Sequence, residues 1–346
     1  NVLQTLQALA KHHREQFTTM PNGRQVPFIA ITGSNGKTTT KELIHQVLST
    51  TYQTYTTEGN LNNHIGIPLT ILKVKKDAQI VVIEMGANHQ KEIESYCTYT
   101  LPTHGLITNC GKAHLEGFGG IEGVRKGKGE LFDFLQASKG VTFLPQQSGA
   151  IQEMFSERGM QNAVYTNEAM PTTLVEAKPM VRYSVESGQV IDSHLPGVYN
   201  FENIQLAIAV GKFFSLTDEQ CNTGISTYIP NNHRSQFIKI GSNQVLMDAY
   251  NANPSSMSAA ISHFAETEGQ PKIVILGDMF ELGDESLYEH KQIVNSLSNQ
   301  NEIDCHFVGA DFFVHNIEAK NFHFHATFDE LATYLNKQKI RTINTD

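Results

Sequence analysis

The chain has 346 residues, of which 40% are apolar and 18% charged, so it predicts about two globular domains and excludes a disordered or fibrous protein. The formal charge of -9 argues against a broad surface for nucleic acid or anionic lipid, and any phosphate site is expected to be local. No apolar run reaches the ~18 residues of a transmembrane helix and the four cysteines have no CxxC spacing, so we expect a cytoplasmic protein without membrane insertion.

The chain begins with leucines at helical spacing, namely Leu3, Leu6 and Leu9. We interpret residues 1–20 as a helical lead-in from an N-terminal domain that the sequence does not contain. A turn is predicted next, at Pro21-Asn22-Gly23, before the first strand.

The strongest motif lies between a predicted buried strand at 26–32 and a predicted helix at 38–48. Its residues are Gly33, Ser34, Asn35, Gly36, Lys37, Thr38 and Thr39. Glycines let backbone N–H groups approach phosphate, a lysine reaches the terminal phosphates, and a threonine can bind Mg²⁺. The pattern predicts a shortened P-loop, because Ile31 stands five residues before the second glycine. The alternative is a glycine turn that merely caps a helix.

Strands and helices alternate beyond this loop, which predicts an α/β fold with a parallel sheet. Strands are predicted at 80–84, 105–109 and 140–144, and helices at 89–99, 121–135 and 200–214. Residues 160–195 predict a small antiparallel region with pieces at 181–185 and 189–194.

Pro230 and two asparagines within 228–236 indicate a domain junction. Beyond it, strands are predicted at 244–248, 272–276 and 305–308, and helices at 255–266, 287–298 and 328–338. These elements predict a second, smaller Rossmann-like α/β domain.

Three further ionisable side chains of the first domain could belong to a site or be ordinary structural residues. Glu84 ends a predicted strand and His114 follows another, so both are candidates for holding a divalent ion at the ligand-binding edge of the sheet. Glu84 alone could equally be a helix cap or a surface acid, and His114 an ordinary histidine. Lys128 by composition lies on a solvated helix face.

Several stretches together make the chain similar to the Mur ligases. They are residues 33–40, 84–86, 109–119, 128–132 and 59–68 in the first domain, and 231–236, 248–254 and 276–283 in the second. The Asp-Ala-Tyr-Asn-Ala-Asn-Pro stretch at 248–254 most resembles family members that join D-alanyl-D-alanine to UDP-N-acetylmuramoyl-tripeptide. The resemblance implies an ATP-dependent, ADP-forming amide ligase of peptidoglycan synthesis that works through an acyl phosphate.

The resemblance also implies a domain plan. It comprises a central ATP-binding domain at 21–230 and a C-terminal ligase domain at 231–346, from which the family's Lys-Gly-Ser-Arg-Gly stretch is missing. We expect a monomer that binds the two substrates and no nucleic acid. The alternatives are a folylpolyglutamate or cyanophycin type of ligase on the same domains, and a P-loop protein that is not a ligase.

Roles for individual residues follow from the resemblance. Lys37, Lys128, His114 and Arg234 are implied to be catalytic, with a carbamate on Lys128. Two Mg²⁺ ions are implied, held by Thr38, Glu84 and His114.

The remaining implied roles concern nucleotide and substrates. Besides the P-loop, the residues implied to bind ATP are Asn200, Asn203, Arg234 and Asp248. Those implied to bind substrate are Asn60, Asn62, Asn63, Asn251 and Asn253. Asn200 could alternatively cap a helix, and Ser286 and His290 match a family pattern without an assigned role.

Overall fold

The computed structural model describes residues 1–18, 23, 25–146, 148–231, 234 and 236–337. The chain divides into two compact units. The first comprises Asn1–Lys112 and Gly117–Pro230, and the second comprises Ala113–Glu116 and Asn231–Asp346. The predicted turn at Pro21 and Asn22 lies outside the described residues, as do Asn232, His233 and Ser235 of the predicted junction.

The helices found in the described residues are α1 (Val2–Glu15), α2 (Lys37–Leu48), α3 (Gly66–Lys73), α4 (Glu92–Thr100), α5 (Leu115–Phe118), α6 (Ile121–Ser138), α7 (Gly149–Glu157), α8 (Val198–Phe213), α9 (Asp218–Thr227), α10 (Pro254–Glu266), α11 (Ser286–Leu297), α12 (Ala310–Phe313) and α13 (Phe328–Lys337). A 3₁₀ helix spans Gly283–Glu285. Among these described helices, none has the length and apolar character needed to cross a bilayer.

The strands found in the described residues are β1 (Phe28–Thr32), β2 (Thr54–Thr56), β3 (Ile80–Glu84), β4 (His104–Ile107), β5 (Val141–Leu144), β6 (Ala163–Tyr165), β7 (Thr172–Glu176), β8 (Arg182–Val185), β9 (Val190–Asp192), β10 (Gln236–Ile240), β11 (Asn243–Met247), β12 (Lys272–Gly277), β13 (Ile303–Val308) and β14 (Phe322–His325). They form four separate sheets in the described chain.

A six-stranded parallel sheet forms the centre of the first unit, in the order β2-β3-β1-β4-β5-β6. Every residue of β1 and β3 is buried, as expected for a parallel sheet covered on both faces. Ile31 pairs with Glu84 and Thr32 with Ile107, so the carboxyl ends of the three central strands meet at one edge. The predicted α/β fold with a parallel sheet is confirmed.

The helix that follows the first strand packs closely against α8 and α9 around Val47. A Cβ atom on Gly211 would lie 2.7 Å from Val47 Cγ1, and one on Gly224 would lie 2.6 Å from Val47 Cα. Glycine at both positions therefore lets the helices approach each other. This packing fixes the position of α2, whose first residues carry the phosphate-loop motif.

The N-terminal helix α1 is anchored to the first unit through Arg14, which is fully buried. Its Nε donates to Thr100 O at 2.8 Å and its Nη2 to Leu101 O at 2.9 Å. The guanidinium also lies 3.8 Å from the ring centroid of Phe28. These contacts compensate the burial of the charge and tie the predicted lead-in helix to the sheet.

The predicted antiparallel region is confirmed where β7, β8 and β9 pair in order. Applying that prediction to all of 160–195 was wrong, because Ala163–Tyr165 is the sixth strand of the parallel sheet. Its three residues are all only half-buried. Such a short edge strand has no apolar run that would distinguish it from its neighbours.

A parallel sheet in the order β12-β13-β14 forms the core of the second unit. The strand predicted at 244–248 is found at Asn243–Met247, where it pairs antiparallel with Gln236–Ile240 in a separate ribbon. Phe322–His325 was not predicted to be a strand, because its alternating Phe and His have no typical strand composition. The helix predicted at 328–338 is described as far as Lys337.

Candidate functional site

The turn between β1 and α2 requires glycine at two positions. Gly33 has a φ of +144° and Gly36 a φ of +78°, both in the region that L side chains rarely adopt. A Cβ on Gly33 would lie 2.0 Å from Thr108 Oγ1, and one on Gly36 would lie 2.7 Å from Asn203 Oδ1. The turn therefore depends on glycine for both its conformation and its packing.

The segment that follows β4 holds this turn in place. Ser34 N donates to Asn109 O at 2.9 Å, and Ser34 Oγ donates to Gly111 O at 2.8 Å. Asn35 and Asn109 exchange two hydrogen bonds of 3.0 Å, from Asn35 N to Oδ1 and from Nδ2 to Asn35 O. These bonds preorganise the loop without a ligand.

The start of α2 has the properties of an anion site. The residue before the helix is Gly36, which supplies no side-chain cap. The N–H groups of the first turn of any α-helix point out of the helix, so this terminus can bind an anion. Lys37 Nζ folds over the turn and donates to Gly33 O at 2.8 Å and Ser34 O at 3.0 Å. The ammonium and the helix terminus thus offer positive charge at the same loop.

Glu84, at the end of β3, is fully buried. Its Oε1 accepts from Thr38 Oγ1 at 3.0 Å and from Asn62 Nδ2 at 2.8 Å. Its Oε2 makes no hydrogen bond, and Lys41 Nζ lies 3.8 Å away. A buried carboxylate oxygen without a hydrogen bond can accept a cation, and hydroxyl and carboxylate oxygens are ligands that Mg²⁺ prefers.

Lys41 is a site residue that the sequence analysis missed. Its side chain is buried, and Nζ donates to Thr57 O at 2.7 Å while lying 3.8 Å from both Glu84 Oε2 and Glu42 Oε1. The available signal was its position three residues after Thr38, on the face of α2 that also carries buried apolar residues.

Lys128, in α6, is buried and not solvated as its composition suggested. Nζ donates to Ala87 O at 3.0 Å and lies 4.8 Å from the ring centroid of Phe118. Burial, and next the nearby positive charge of Lys37, lower the pKa of Lys128 to about 7. A large fraction of this amine is therefore neutral near physiological pH.

The two asparagines of α8 are buried and form a chain of hydrogen bonds. Asn200 Nδ2 donates to Pro196 O at 2.7 Å, and Asn203 Nδ2 donates to Asn200 Oδ1 at 2.9 Å. Thr40 Oγ1 donates to Asn203 Oδ1 at 3.0 Å, which links the pair to α2. The geometry gives both amides a role in holding α2, and their contact with ATP stays a prediction.

His114 lies in the short segment that clusters with the second unit. Its backbone has a φ of +54°, and its Nδ1 contacts Glu281 Oε2. Glu116 N also donates to Glu281 O, at 3.2 Å. Because Glu84 belongs to the other unit, an ion shared by Glu84 and His114 stays a prediction.

Two residues predicted to bind substrate accept hydrogen bonds at helix starts, and Asn253 is the N-cap of α10. Asn63 Oδ1 accepts from Gly66 N at 2.9 Å at the start of α3, and Asn253 Oδ1 accepts from Ser256 N at 3.0 Å at the start of α10. Both bonds satisfy N–H groups that a helix start leaves open. Asn60 is exposed.

In the second unit, the Arg234 guanidinium lies 3.7 Å from the ring centroid of Tyr250, a stacked arrangement that holds the cation in place. Asp248 and Asn251 are exposed. Their binding of nucleotide and substrate stays a prediction.

The structure gives Ser286 and His290 a role that the sequence did not. His290 Nδ1 donates to Ser286 O at 2.7 Å, and its Nε2 accepts from Met279 N at 2.9 Å. Ser286 Oγ donates to Asp311 Oδ2 at 2.8 Å, and Asp311 N donates to Asp278 Oδ2 at 3.0 Å. The pair thus fastens the loop after β12 to α11 and α12.

Family models match both units. The Mur ligase middle domain matches residues 31–211, and the glutamate ligase domain of Mur ligases matches residues 233–339.

Two similar curated proteins are named UDP-N-acetylmuramoyl-tripeptide--D-alanyl-D-alanine ligase. The Bacillus subtilis protein is 34% identical over 84% of this chain and 63% of its own length, and the Escherichia coli protein is 35% identical over 78% and 62%. The chain thus spans less than two thirds of the length of these relatives. Among solved structures, MurF from Acinetobacter baumannii matches with a TM-score of 0.88 and 29% identity, over 99% of this chain and 75% of that one.

Proposed function

This chain belongs to the Mur ligase family, and we propose that it is the ATP-binding and ligase part of an enzyme that joins D-alanyl-D-alanine to UDP-N-acetylmuramoyl-tripeptide. The names of the curated relatives support this choice of substrates. The observation that carries the proposal is the preorganised phosphate loop next to the buried carboxylate of Glu84. The product contributes to peptidoglycan, and the unpaired state of all four cysteines agrees with the cytoplasmic location we propose.

The proposed reaction has two steps. The terminal carboxylate of the tripeptide attacks the γ-phosphorus of ATP, and the bond from that phosphorus to the β,γ-bridging oxygen breaks. ADP departs as the leaving group, and the product is an acyl phosphate. The amine of D-alanyl-D-alanine then attacks the acyl carbon and loses a proton. The tetrahedral intermediate collapses to the amide and releases inorganic phosphate.

The first step requires two anions to approach each other, and the residues of the loop oppose that repulsion. The N–H groups at the start of α2 bind phosphate oxygens, and Lys37 moves from Gly33 O and Ser34 O onto the terminal phosphates. The bonds between Asn35 and Asn109 keep the loop in this conformation, so little reorganisation accompanies binding.

We propose that Thr38 holds one Mg²⁺ and that Glu84 and His114 hold a second. Oε2 of Glu84 has no hydrogen bond to lose on binding a cation, and the donor set at Thr38 and Glu84 is made of oxygen atoms, so these residues fit the ion. Mg²⁺ supplies charge neutralisation at the phosphates. Asn62, which already donates to Glu84, orients that carboxylate.

Lys128 is proposed to carry a carbamate. A neutral amine adds CO₂ and releases a proton, which converts the lysine into an anion. Burial supplies the neutral amine, because it lowers the pKa of Lys128 to about 7. An anionic carbamate would complement bound Mg²⁺.

The remaining residues keep the roles that the family implies. Residues 21–230 are proposed as the ATP-binding domain and 231–346 as the ligase domain. The chain is proposed to act as a monomer. The residues proposed for nucleotide binding are Ser34, Thr39, Asn200, Asn203, Arg234 and Asp248. Those proposed for substrate binding are Asn60, Asn62, Asn63, Asn251 and Asn253.

Phosphate release tests the proposal. The full chain is incubated with ATP, Mg²⁺ and UDP-N-acetylmuramoyl-tripeptide, with D-alanyl-D-alanine present or absent, or with folate and glutamate in place of the two substrates. We expect release that requires both the tripeptide and D-alanyl-D-alanine. Lys37→Ala should reduce it about 100-fold or more, because charge stabilisation at the phosphates is lost.

Lys75→Ala is the matched control, since Lys75 is exposed after α3. Unchanged turnover in Lys37→Ala would overturn the ATP site. Release that appears only when folate and glutamate replace the two substrates would indicate a folylpolyglutamate type of ligase, and release without any acceptor would indicate a P-loop protein of another class.

A further inference from the structure

Three histidines and an aspartate share one face of the second unit's parallel sheet. Asp304 and His306 are two residues apart in β13, and His323 and His325 are two apart in β14. The register pairs His306 with His323 across the two strands. Because side chains alternate along a strand, this register brings all four to the same face.

The side chains of this group, which we call the β13–β14 histidine cluster, approach within ligand distance of one another. Ligand atoms of Asp304, His306 and His323 all lie within 4.8 Å of each other. His323 Nε2 lies 2.8 Å from Asp304 Oδ1, and His306 Nε2 lies 3.5 Å from Asp304 Oδ2. An ion with the usual ~2 Å bonds to nitrogen and oxygen holds its ligand atoms within about 4 Å of one another, so small side-chain rotations would let all three bind it.

His306 is the residue that this arrangement leaves unsatisfied. It is fully buried, and its Nε2 makes no hydrogen bond. Its Nδ1 lies 3.1 Å from His325 Nε2, so it can donate there while Nε2 presents its lone pair to Asp304 and His323. Metal-bound histidines commonly donate their other ring N–H in this way.

The cluster packs against α13. The acidic neighbours are Asp304, and Glu330 on α13. The ring centroid of Tyr334, also on α13, lies 5.5 Å from that of His306, so this helix covers the cluster.

We propose that His306, His323 and Asp304 form a zinc site that joins β13 to β14. Two imidazoles and one carboxylate are a typical ligand set for Zn²⁺ and a poor one for Mg²⁺, so the site is distinct from the nucleotide site. A groove of about 520 Å³, lined by His323 and His325 among others, borders the cluster. The simpler alternative is a histidine cluster that hydrogen bonds without an ion and leaves His306 Nε2 unpaired.

Calorimetric titration with ZnCl₂ separates these alternatives. The full chain is first treated with chelator, and Mg²⁺ is kept in about 5-fold or greater excess over Zn²⁺ so that the titration also tests selectivity. We expect one saturable site of micromolar or tighter affinity. Asp304→Asn and His323→Gln should weaken it about 100-fold or more, the upper end of what loss of a supporting residue costs.

His194→Gln is the matched control, because His194 is an exposed histidine of the first unit, and it should leave the affinity unchanged. The calorimetric unfolding transition of the second unit verifies that this unit is folded in each variant. If a variant does not fold, Co²⁺ in the unaltered chain replaces it. Intense visible absorption supports a low-symmetry nitrogen and oxygen site, and the weak spectrum of hydrated Co²⁺ overturns it. Zinc affinity that is the same in the variants and the control also overturns the proposal.

Discussion

Individual residues of the first unit carry charge in places that water does not reach. Glu84, Lys41 and Lys128 are all nearly or fully buried. Lys41 compensates Glu84 only at 3.8 Å, and Lys128 has a carbonyl oxygen and an aromatic ring for partners. Buried charge with so little compensation reduces stability, and its concentration beside a phosphate loop indicates a functional site.

Replacing Lys128 should show how much its buried charge lowers the free energy of unfolding. The lowered pKa means that the unfolded chain binds more protons than the folded chain between pH ~7 and ~10.5, so the stability of the unaltered chain rises with pH across that window. Lys128→Met should remove the rise and increase the free energy of unfolding by a few kcal/mol at pH 7, the scale of ~1.4 kcal/mol per pKa unit. Ligase turnover should be lost.

Urea unfolding at several pH values in CO₂-free buffer measures the effect. Lys126→Met is the matched control, because Lys126 lies two residues away on α6 and is exposed. It should change neither stability nor turnover. A Lys128→Met chain that is less stable than the original at pH 7 would contradict the argument.

At the scale of elements, the site is assembled where consecutive pieces of the chain meet. The start of α2 approaches the segment after β4, and Asn203 of α8 lies against the turn before α2. Strand order and register bring Glu84 to the same edge. The loop is therefore rigid because three elements contact it, and glycine is what permits their approach.

Gly33→Ala tests that rigidity. The substitution introduces a Cβ 2.0 Å from Thr108 Oγ1 at a φ of +144°. It should lower the free energy of unfolding by about 1–3 kcal/mol and should also weaken ATP binding. Gly149→Ala is the control, because Gly149 begins α7 in open space with no positive φ. It should be neutral or slightly stabilising, by up to ~1 kcal/mol. Equal stability and ATP affinity in the two variants would contradict the proposed requirement.

For the molecule as a whole, two units with separate sheets should unfold as two cooperative transitions. Differential scanning calorimetry should show Zn²⁺ raising the transition of the second unit, and ATP with Mg²⁺ raising that of the first unit more than that of the second, because the phosphate loop lies in the first unit. At 100 times the dissociation constant each ligand should add about 2.7 kcal/mol. A single transition that both ligands shift would contradict this expectation.

The sequence alone predicted the elements with strong local signals. The glycine turn, the apolar strands β1 and β3, and the helical spacing of α2 and α6 all agree with the structure. It did not predict β6 or β14, because a short half-buried strand and an alternation of Phe and His have little in their composition to mark them. It predicted β11 as one strand of the alternating strands and helices of the second domain. It could not predict that β11 pairs antiparallel with β10 in a separate ribbon, because strand pairing depends on the partner strand.

The candidate site shows the same division. Lys37, Thr38 and Glu84 could be named from motif and position, because chain direction carries them to the edge of a parallel sheet. The tertiary structure decided that Lys128 is buried and that Lys41 approaches Glu84. It also decided that three histidines lie near Asp304. Burial, pKa and ligand distance depend on residues far apart in the chain, and only packing brings those residues together.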